Sequence, residues 1–434
     1  MSFKRHFITI GILVLCSCSS SNVDAIDAPT DPTTSTPNIL LIIADDMGLD
    51  ATPNYSEGTM KPNMPNLQAL MNTGITFENL WSYPVCSPTR ASILTGKYGS
   101  KTGVLAAGDF IATTETSLQK YIDDGTSNAY ASAVIGKWHL SNSGSDPVTM
   151  GIDYFAGVIK GSVQSYTNWS LNINGQSTIS TDYTTTKFTD LAIDWVGNQS
   201  KPWFLWLAYN APHTPFHLAP TNLHSQGSLP TDAASIDANP MPYFMSAIEA
   251  MDSEIGRLLS SMSAEEKANT IIVFIGDNGS PNQVAQAPYS RSKSKNSMYQ
   301  GGVNVPMVVS GFGVNRVGDR ESALISTTDL FATIASVAGV STSTKENSTS
   351  FYPLLTNSSV TSRDYVYTEI SNNGIGYAIR NTTYKLFKYE SGVEAFYNLT
   401  TDAYESSNLI GTTLSSEASI AKAALEAEAM RIRS

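Results

Sequence analysis

Cysteine is scarce, with three in 434 residues. Cys16 and Cys18 lie near the N-terminus, which leaves Cys86 without a partner in the rest of the chain. A disulfide framework is therefore excluded as the basis of the fold. Charge is scarce as well: charged residues make up 15% of the chain, and Asp plus Glu outnumber Lys plus Arg by 38 to 26. The net charge of −12 excludes a broad basic face for nucleic acid. An anionic substrate must then be held by a few local cations against the overall field. Internal repeats are absent, and beyond the first residues no run is apolar enough to span a bilayer. What is present suits a globular protein: 41% hydrophobic residues, and length enough for one large domain plus a smaller one.

The N-terminus reads as an address. Lys4 and Arg5 precede the apolar stretch Phe7 to Leu15, which is too short to span a membrane. Leu15-Cys16-Ser17-Cys18 follows and resembles a bacterial lipoprotein signal, cleaved before Cys18 and acylated on that thiol; ordinary secretion is the alternative. The expected organisation is a signal over 1–17 and a flexible Ser-, Thr- and Pro-rich tether over 18–37. A large α/β domain over 38–350 and a small C-terminal domain over 351–434 follow. The expected location is outside the cytoplasm, in the periplasm or at the outer membrane or cell surface, with the membrane reached only through the lipid. Cys86 is then a lone thiol in an oxidising compartment. It is either a small buried hydrophobe or a residue with chemistry.

Three stretches read as buried strands: Asn38–Ala44 (NILLIIA), Trp203–Ala208 (WFLWLA) and Ile271–Ile275 (IIVFI). Ala131–Ile135 is a fourth candidate. Helices are expected over Pro65–Asn72, from about Ala91, over Tyr243–Met262 and over Thr327–Val337. From about Asp364 short alternating stretches predict an antiparallel sheet, closed by a helix over Ser415–Arg433. The fold class is α/β: a mixed, mostly parallel central sheet flanked by helices, plus a small C-terminal domain with an antiparallel sheet and a helix.

Polar groups gather where the apolar strands end. Asp45 and Asp46 follow the first, Asn210 and His213 the second, Asp277 and Asn278 the third. Ligands of open α/β sheets bind at that edge. Asp45, Asp46, Asp277 and Asn278 form an all-oxygen set, and three carboxylates together need a cation or raised pKa values. Oxygen-only ligation favours Ca2+ over Mg2+ and gives zinc no His or Cys; a solvated loop cluster is the other reading. Pro212 and Pro215 make His213 and His217 an improbable helical metal pair, and His213, nearer the strand end, is the one expected to face the site. In Gly136-Lys137-Trp138-His139, Lys137 and His139 point the same way if the chain is extended; the alternative is a solvated lysine.

Cys86-Ser87-Pro88-Thr89-Arg90, continued by Ala-Ser-Ile-Leu-Thr-Gly, resembles the type I sulfatases of the alkaline phosphatase superfamily and their Cys-x-Pro-x-Arg motif. Asn38 to Asp46, Gly136 to His139, Ala211 to Pro215, Gly276 to Gly279, Lys295 ahead of Tyr299 and Gly301-Gly302, and Glu394 to Leu409 are similar to the family's other segments, in the family's order. The chain departs from the family at Gln300 and Asn304, where Glu and Arg are frequent. Lys293 is an alternative to Lys295 as the family's last lysine.

The resemblance implies a sulfuric ester hydrolase whose Cys86 is oxidised to formylglycine by a dedicated maturation system. The hydrated aldehyde attacks sulfur, and its second hydroxyl lets the sulfate leave as the aldehyde reforms, which divides one hard step into two. The metal set becomes Asp45, Asp46, Asp277, Asn278 and the matured residue 86. Arg90 holds the hydrated aldehyde and a metal ligand. Lys137, His213 and Lys295 receive the sulfate oxygens, with His213 or Lys295 protonating the leaving oxygen. His139 takes the proton as the aldehyde reforms. A sulfated polysaccharide or oligosaccharide is the expected substrate, with Trp81, Tyr83, Trp169 and His217 as either sugar platforms or core. A phosphatase or phosphonate hydrolase of the superfamily, or a non-catalytic glycan-binding protein, is the alternative.

Overall fold

Asn38–Ala44 is a strand whose seven residues are all buried. Such a segment needs cover on both faces. Leu40, Ile42 and Ala44 enter one core, while Ile39, Leu41 and Ile43 enter the other. In this computed structural model, residues 1–2, 36–342, 344–360, 363–372 and 374–434 are described. The expected signal and Cys18 lie outside them, as does the expected tether up to residue 35. Thr36–Ser434 forms one unit. No helix of the described residues is long and apolar enough to cross a membrane.

The large sheet is built in chain order from β1 (Asn38–Ala44), β2 (Gly74–Trp81), β3 (Ala131–Lys137), β4 (Tyr154–Val158), β5 (Trp169–Ile173), β6 (Gln176–Ser180), β7 (Trp203–Ala208), β8 (Thr270–Gly276), β9 (Asn304–Gly311), β10 (Asp319–Glu321) and β11 (Ile325–Ser326). Its spatial order is β10-β2-β9-β8-β1-β7-β3-β4-β5-β6, with β11 also on β2. The block β8-β1-β7-β3-β4 is parallel, whereas β9 runs against both β8 and β2. One face is covered by Phe188 and Ala192 of the helix Thr184–Gly197 and by Phe244, Ile248, Met251 and Ile255 of Met241–Ser261. The other is covered by Ile93 and Leu94 of Cys86–Thr95, Ile122 of Leu118–Thr126, and Leu330, Phe331 and Ile334 of Asp329–Val337. The mixed, mostly parallel sheet between helices is as the sequence predicts.

A two-residue ladder, β12 (Thr344–Lys345) with β13 (Ser348–Thr349), leads to a turn in which Leu354 and Leu355 pack into the large domain's core. The second sheet then forms from β14 (Val366–Ile370), β15 (Gly376–Arg380), β16 (Tyr384–Tyr389) and β17 (Glu394–Asn398), all antiparallel. Alternation gives it two apolar faces. Ile379, Leu386 and Phe396 meet Leu425, Ala429 and Ile432 of the closing helix Ser416–Arg433. Val366, Ala378, Phe387 and Tyr397 meet Trp81, Met298 and Val303 of the large domain. The ammonium of Lys385, buried at this junction, lies 2.5 Å from Glu405 and donates to the Met298 carbonyl.

Several strands carry no simple pattern. β9 contains Pro306, which cannot donate to a ladder. It falls where the β2 register shifts between Phe77 and Leu80, so a bulge absorbs it. The β5–β6 hairpin turns at Asn174 and Gly175, both at positive φ, and that dipeptide is its one strong signal. Gly136 closes β3 at φ 108°, where a Cβ would lie 1.9 Å from the Ala208 carbonyl oxygen of β7. Gly136→Ala is therefore expected to destabilise the protein by at least about 2 kcal/mol, read from the denaturant midpoint. An unchanged midpoint would mean that β3 and β7 separate freely at this edge.

Candidate active site

Four neighbouring parallel strands, β8, β1, β7 and β3, end at one edge. That adjacency brings Asp277 and Asn278, Asp45 and Asp46, Asn210 and His213, and Lys137 and His139 into one place. β2 runs toward the same edge and continues through Ser82–Val85 into the helix Cys86–Thr95. Val85 is its extended cap and Cys86 its first residue. Pro88 sits in the first turn, where a missing N–H costs nothing. The helix ends at Gly96, φ 68°. All ten of its residues are buried, so it runs through the interior with Arg90 one turn beyond Cys86.

The carboxylates are held by cations. The Lys137 ammonium donates to Asp45 Oδ2 at 2.5 Å, the Arg90 guanidinium to Asp277 Oδ2 at 2.8 Å, and the Lys295 ammonium to Asp46 at 2.5 Å. Arg90 also donates to the Lys137 carbonyl at 2.9 Å. Asn278 Nδ2 donates to Asp46 Oδ1 at 2.7 Å, and the Asp46 backbone N–H donates to Asp277 Oδ1 at 3.0 Å. His213 Nε2 is 3.7 Å from Asp46 Oδ2. Lys293 turns away, donating to the Glu405 carbonyl and lying over the Tyr299 ring, so Lys295 is the lysine of the site.

Electrostatics follows from burial set against these partners. Burial alone would raise Asp46, but Lys295, then His213 and Lys137, hold it well below the usual carboxylate range. Burial, reinforced by the charge of Asp45, raises Asp277 in spite of Arg90. Lys295 is raised because Asp46 outweighs its burial. Burial lowers His139, and the charges of Lys137 and Arg90 add to that. Burial also lowers His213 against the pull of Asp46. Cys86 is raised by burial despite Lys137, so its thiol stays protonated and weakly nucleophilic.

The donor set fits a hard cation. Ligand atoms of Asp45, Cys86 and Asp277 lie within 4.8 Å of one another, as do those of Asp45, Asp46 and His213. Asp45 Oδ1 and Asn278 Oδ1 are buried acceptors without a hydrogen-bond partner among the described residues. Unpaired oxygens facing inward at a cluster of three carboxylates are what such an ion requires.

Cys86, Asp46, His139, His213 and Lys295 share a cavity of about 570 Å3. The other expected site residues, Asp45, Arg90, Lys137, Asp277 and Asn278, belong to the buried network of ion pairs and hydrogen bonds that includes Asp46. For the aromatic residues left as either sugar platforms or core, the structure gives internal packing. Trp81, Tyr83 and Trp169 are buried in the core, and His217 stacks on Tyr166 with ring centroids 3.8 Å apart. Their mixed polar and apolar surfaces are satisfied internally: the Tyr83 hydroxyl accepts from the Gly99 N–H, and the Tyr183 hydroxyl meets His217 Nε2. Gln300 accepts from Trp81 Nε1, and Asn304 donates to the Glu78 carbonyl, both at the junction with the second sheet.

Some contributors were not anticipated. The Ser87 hydroxyl donates to the His139 carbonyl and accepts from the Gly108 N–H, which ties the helix that Cys86 opens to the histidine loop. Gly161 leaves room for His139: a Cβ there would lie 2.3 Å from Nε2. Asp50 accepts from the Ser280 hydroxyl and the Gln286 N–H, while Ser280 accepts from the Gly48 N–H. This bridges the loops that carry Asp45–Asp46 and Asp277–Asn278. No spacing rule marks these residues.

A parallel sheet with helices on both faces, an oxygen cluster at its carboxyl edge and a helix-start residue beside it fit the alkaline phosphatase superfamily. Within it the chain belongs to the sulfatase family, whose profile matches residues 37–340; that of the N-sulphoglucosamine sulphohydrolase C-terminal region matches residues 292–431. The chain is 28% identical over 378 residues to the uncharacterized sulfatase YdeN of Escherichia coli (strain K12), covering 72% of this chain and 64% of that protein. It is 25% identical over 431 residues to the ulvan-active sulfatase of Formosa agariphila, covering 92% of this chain and 81% of that one. The chain thus spans less than two thirds of YdeN. Its fold resembles the crystal structure of Ps i-CgsB in complex with k-i-k-neocarrahexaose, at TM-score 0.77 and 23% identity, covering 92% of this chain and 93% of that one.

Adding CaCl2 to chelator-treated protein is expected to raise its melting temperature by several degrees. Saturation at a hundredfold excess over Kd corresponds to about 2.7 kcal/mol. Asp45→Asn and Asp277→Asn should lose that rise. Superimposable melting curves with and without calcium for the unaltered protein would refute the cation assignment.

Proposed function

We propose that this chain hydrolyses sulfate esters of a sulfated polysaccharide or oligosaccharide. In this reading Cys86 matures to formylglycine through a maturation system that reads Cys86 to Arg90. Ca2+ is held by Asp45, Asp46, Asp277, Asn278 and the matured residue. The observation that carries the proposal is the meeting of Cys86 with Asp45 and Asp277 inside a ring of three cations. Relatives point the same way: one is described as ulvan-active, and one structural neighbour is described with a neocarrahexaose. Export as a lipoprotein tethered through Cys18 belongs to the same proposal, since a polymer substrate is met outside the cell.

Each residue has a physical task. A protonated thiol cannot serve as the nucleophile, and oxidation to an aldehyde that hydrates would supply an oxygen nucleophile at that position. Bound Ca2+ would supply Lewis acidity there and stabilise developing negative charge. Arg90, pinned to Asp277 and to the Lys137 carbonyl, fixes the floor beneath residue 86. Lys137 is fully buried and holds Asp45 in place while adding positive charge. Lys295 and His213 line the cavity; the Lys295 ammonium presents donors to sulfate oxygens, and His213 presents one when protonated at Nε2. His213 Nδ1 donates to the Thr214 carbonyl at 2.7 Å, so the neutral ring offers its lone pair at Nε2. His213, once protonated there beside Asp46, or the Lys295 ammonium is the acid for the leaving oxygen. His139 is kept neutral by burial and neighbouring cations, and its buried Nδ1 has no partner among the described residues. The neutral ring has a free nitrogen for the proton released when residue 86 is regenerated, and the same cations make it give that proton up readily. These few cations act in a low-dielectric cavity, which is how a chain of net charge −12 accommodates sulfate.

The test is the mass of the proteolytic peptide ending at Arg90, from protein made in a maturation-competent host, measured beside the hydrolysis of matched aryl sulfate and aryl phosphate. An aldehyde at position 86 and faster sulfate hydrolysis are expected. Cys86→Ala is expected to lower kcat by at least ~10^3 with the melting temperature retained. An unmodified thiol in that host, or preference for the phosphate, would overturn the reading.

A further inference from the structure

Thr214 and Gln283 line the reaction cavity and also a second cavity of about 450 Å3. The two spaces meet at those side chains. The second has an apolar wall of Pro215, Phe216, Ile236 and Pro240. Phe216 is braced edge-on by Phe244 of the core, with ring centroids 6.0 Å apart. Arg291 lines the same cavity, is exposed, and makes no ion pair or side-chain hydrogen bond among the described residues. Asp237 is the carboxylate in that lining, and no ion pair joins it to Arg291.

Lys160 stands in the same relation to the reaction cavity: it lines it, is exposed and is unpaired among the described residues. The inner cations are committed, Lys137 to Asp45, Lys295 to Asp46 and Arg90 to Asp277. Among the described residues, each cavity therefore offers one free cation on an acidic protein. The reaction cavity's wall is polar, with Asn282, Asn296 and Asn372 and no Phe, Tyr or Trp among its described lining residues. Amides suit the hydroxyls of a sugar better than an aryl group. The neighbouring wall supplies the flat apolar surface on which the C–H face of a second ring can lie.

We propose that the second cavity is a subsite for the sugar unit next to the one carrying the scissile sulfate, and that Arg291 binds an anionic substituent of that unit. The substrate is then an oligosaccharide with repeated negative charge, rather than a single sulfated sugar. The proposal rests on the sulfate-ester reading above and adds the extent of the site. A guanidinium matches sulfate or carboxylate in a two-pronged hydrogen bond. Because it is exposed, its contribution is screened by solvent, and a moderate effect is expected.

The experiment is calorimetric titration of the full-length Cys86→Ala protein, which cannot turn over. The probes are sulfated mono-, di- and tetrasaccharides prepared from carrageenan, ulvan and heparin. In at least one series affinity should rise ~10-fold from mono- to disaccharide, the size of one charge-assisted contact. Arg291→Ala should bring the ratio of those two affinities to about one, and Phe216→Ala should reduce it. Equal affinities across length in every series, binding to none, or a rise that survives both substitutions would overturn the subsite. Sulfate release from the same oligosaccharides by the unaltered protein is read in parallel. Turnover with flat length dependence overturns the subsite alone. Length-dependent binding without turnover overturns the hydrolase reading alone.

Discussion

Three buried carboxylates meet at the carboxyl edge of the large sheet, and each is matched by a cation at hydrogen-bond distance. Without Arg90, Lys137 and Lys295, Asp277, Asp45 and Asp46 would repel one another in a medium that screens poorly. Removing one member of such a pair leaves an uncompensated buried charge, which costs roughly 3–5 kcal/mol. The need for neutrality constrains the parts of the chain that converge there. β1 and β8 bring the acids, β3 brings one lysine, the helix after β2 brings the arginine, and the loop before β9 brings the second lysine.

Parallel strands make this convergence inexpensive for the backbone. Side-by-side β8, β1, β7 and β3 all end at one edge, so a polar residue placed just after each apolar strand arrives near the others. The antiparallel β9 contributes from its start instead of its end, and this is why Lys295 precedes its strand. Hydrogen bonds then set the finer geometry. Asp50 and Ser280 join the two acidic loops, while Ser87 joins the helix of Cys86 to the loop of His139.

Much of this was legible in sequence because the central strands are buried on both faces. Asn38–Ala44 and Trp203–Ala208 could be read to the residue, and the polar groups after them gave the site. Lys295 was separable from Lys293 only provisionally, since spacing places both in one loop; the structure separates them by direction. The peripheral strands were less legible. β9 carries a proline absorbed by a bulge, which depends on what its neighbour does. Trp81, Tyr83 and Trp169 were candidate sugar platforms because an aromatic ring serves core and ligand equally well, and only packing decides. The roles of Gly161 and Asp50 are absences and bridges, a missing Cβ and a carboxylate between two loops. Neither leaves a mark on local periodicity.

Cys86 is 2% exposed, and the helix it opens is buried along its whole length. An enzyme that reads Cys86 to Arg90 as a peptide has no access to that segment once the helix is seated between the sheet and its neighbours. Maturation would therefore be a race against folding. In the proposed reading the chain would have to be intercepted while the segment is still extended, and a molecule that folded first would be sealed with an inert thiol. The proportion of competent molecules in a preparation would then reflect the relative rates of export, modification and folding in the producing cell. Later exposure of the finished protein to the modifying enzyme would not raise it.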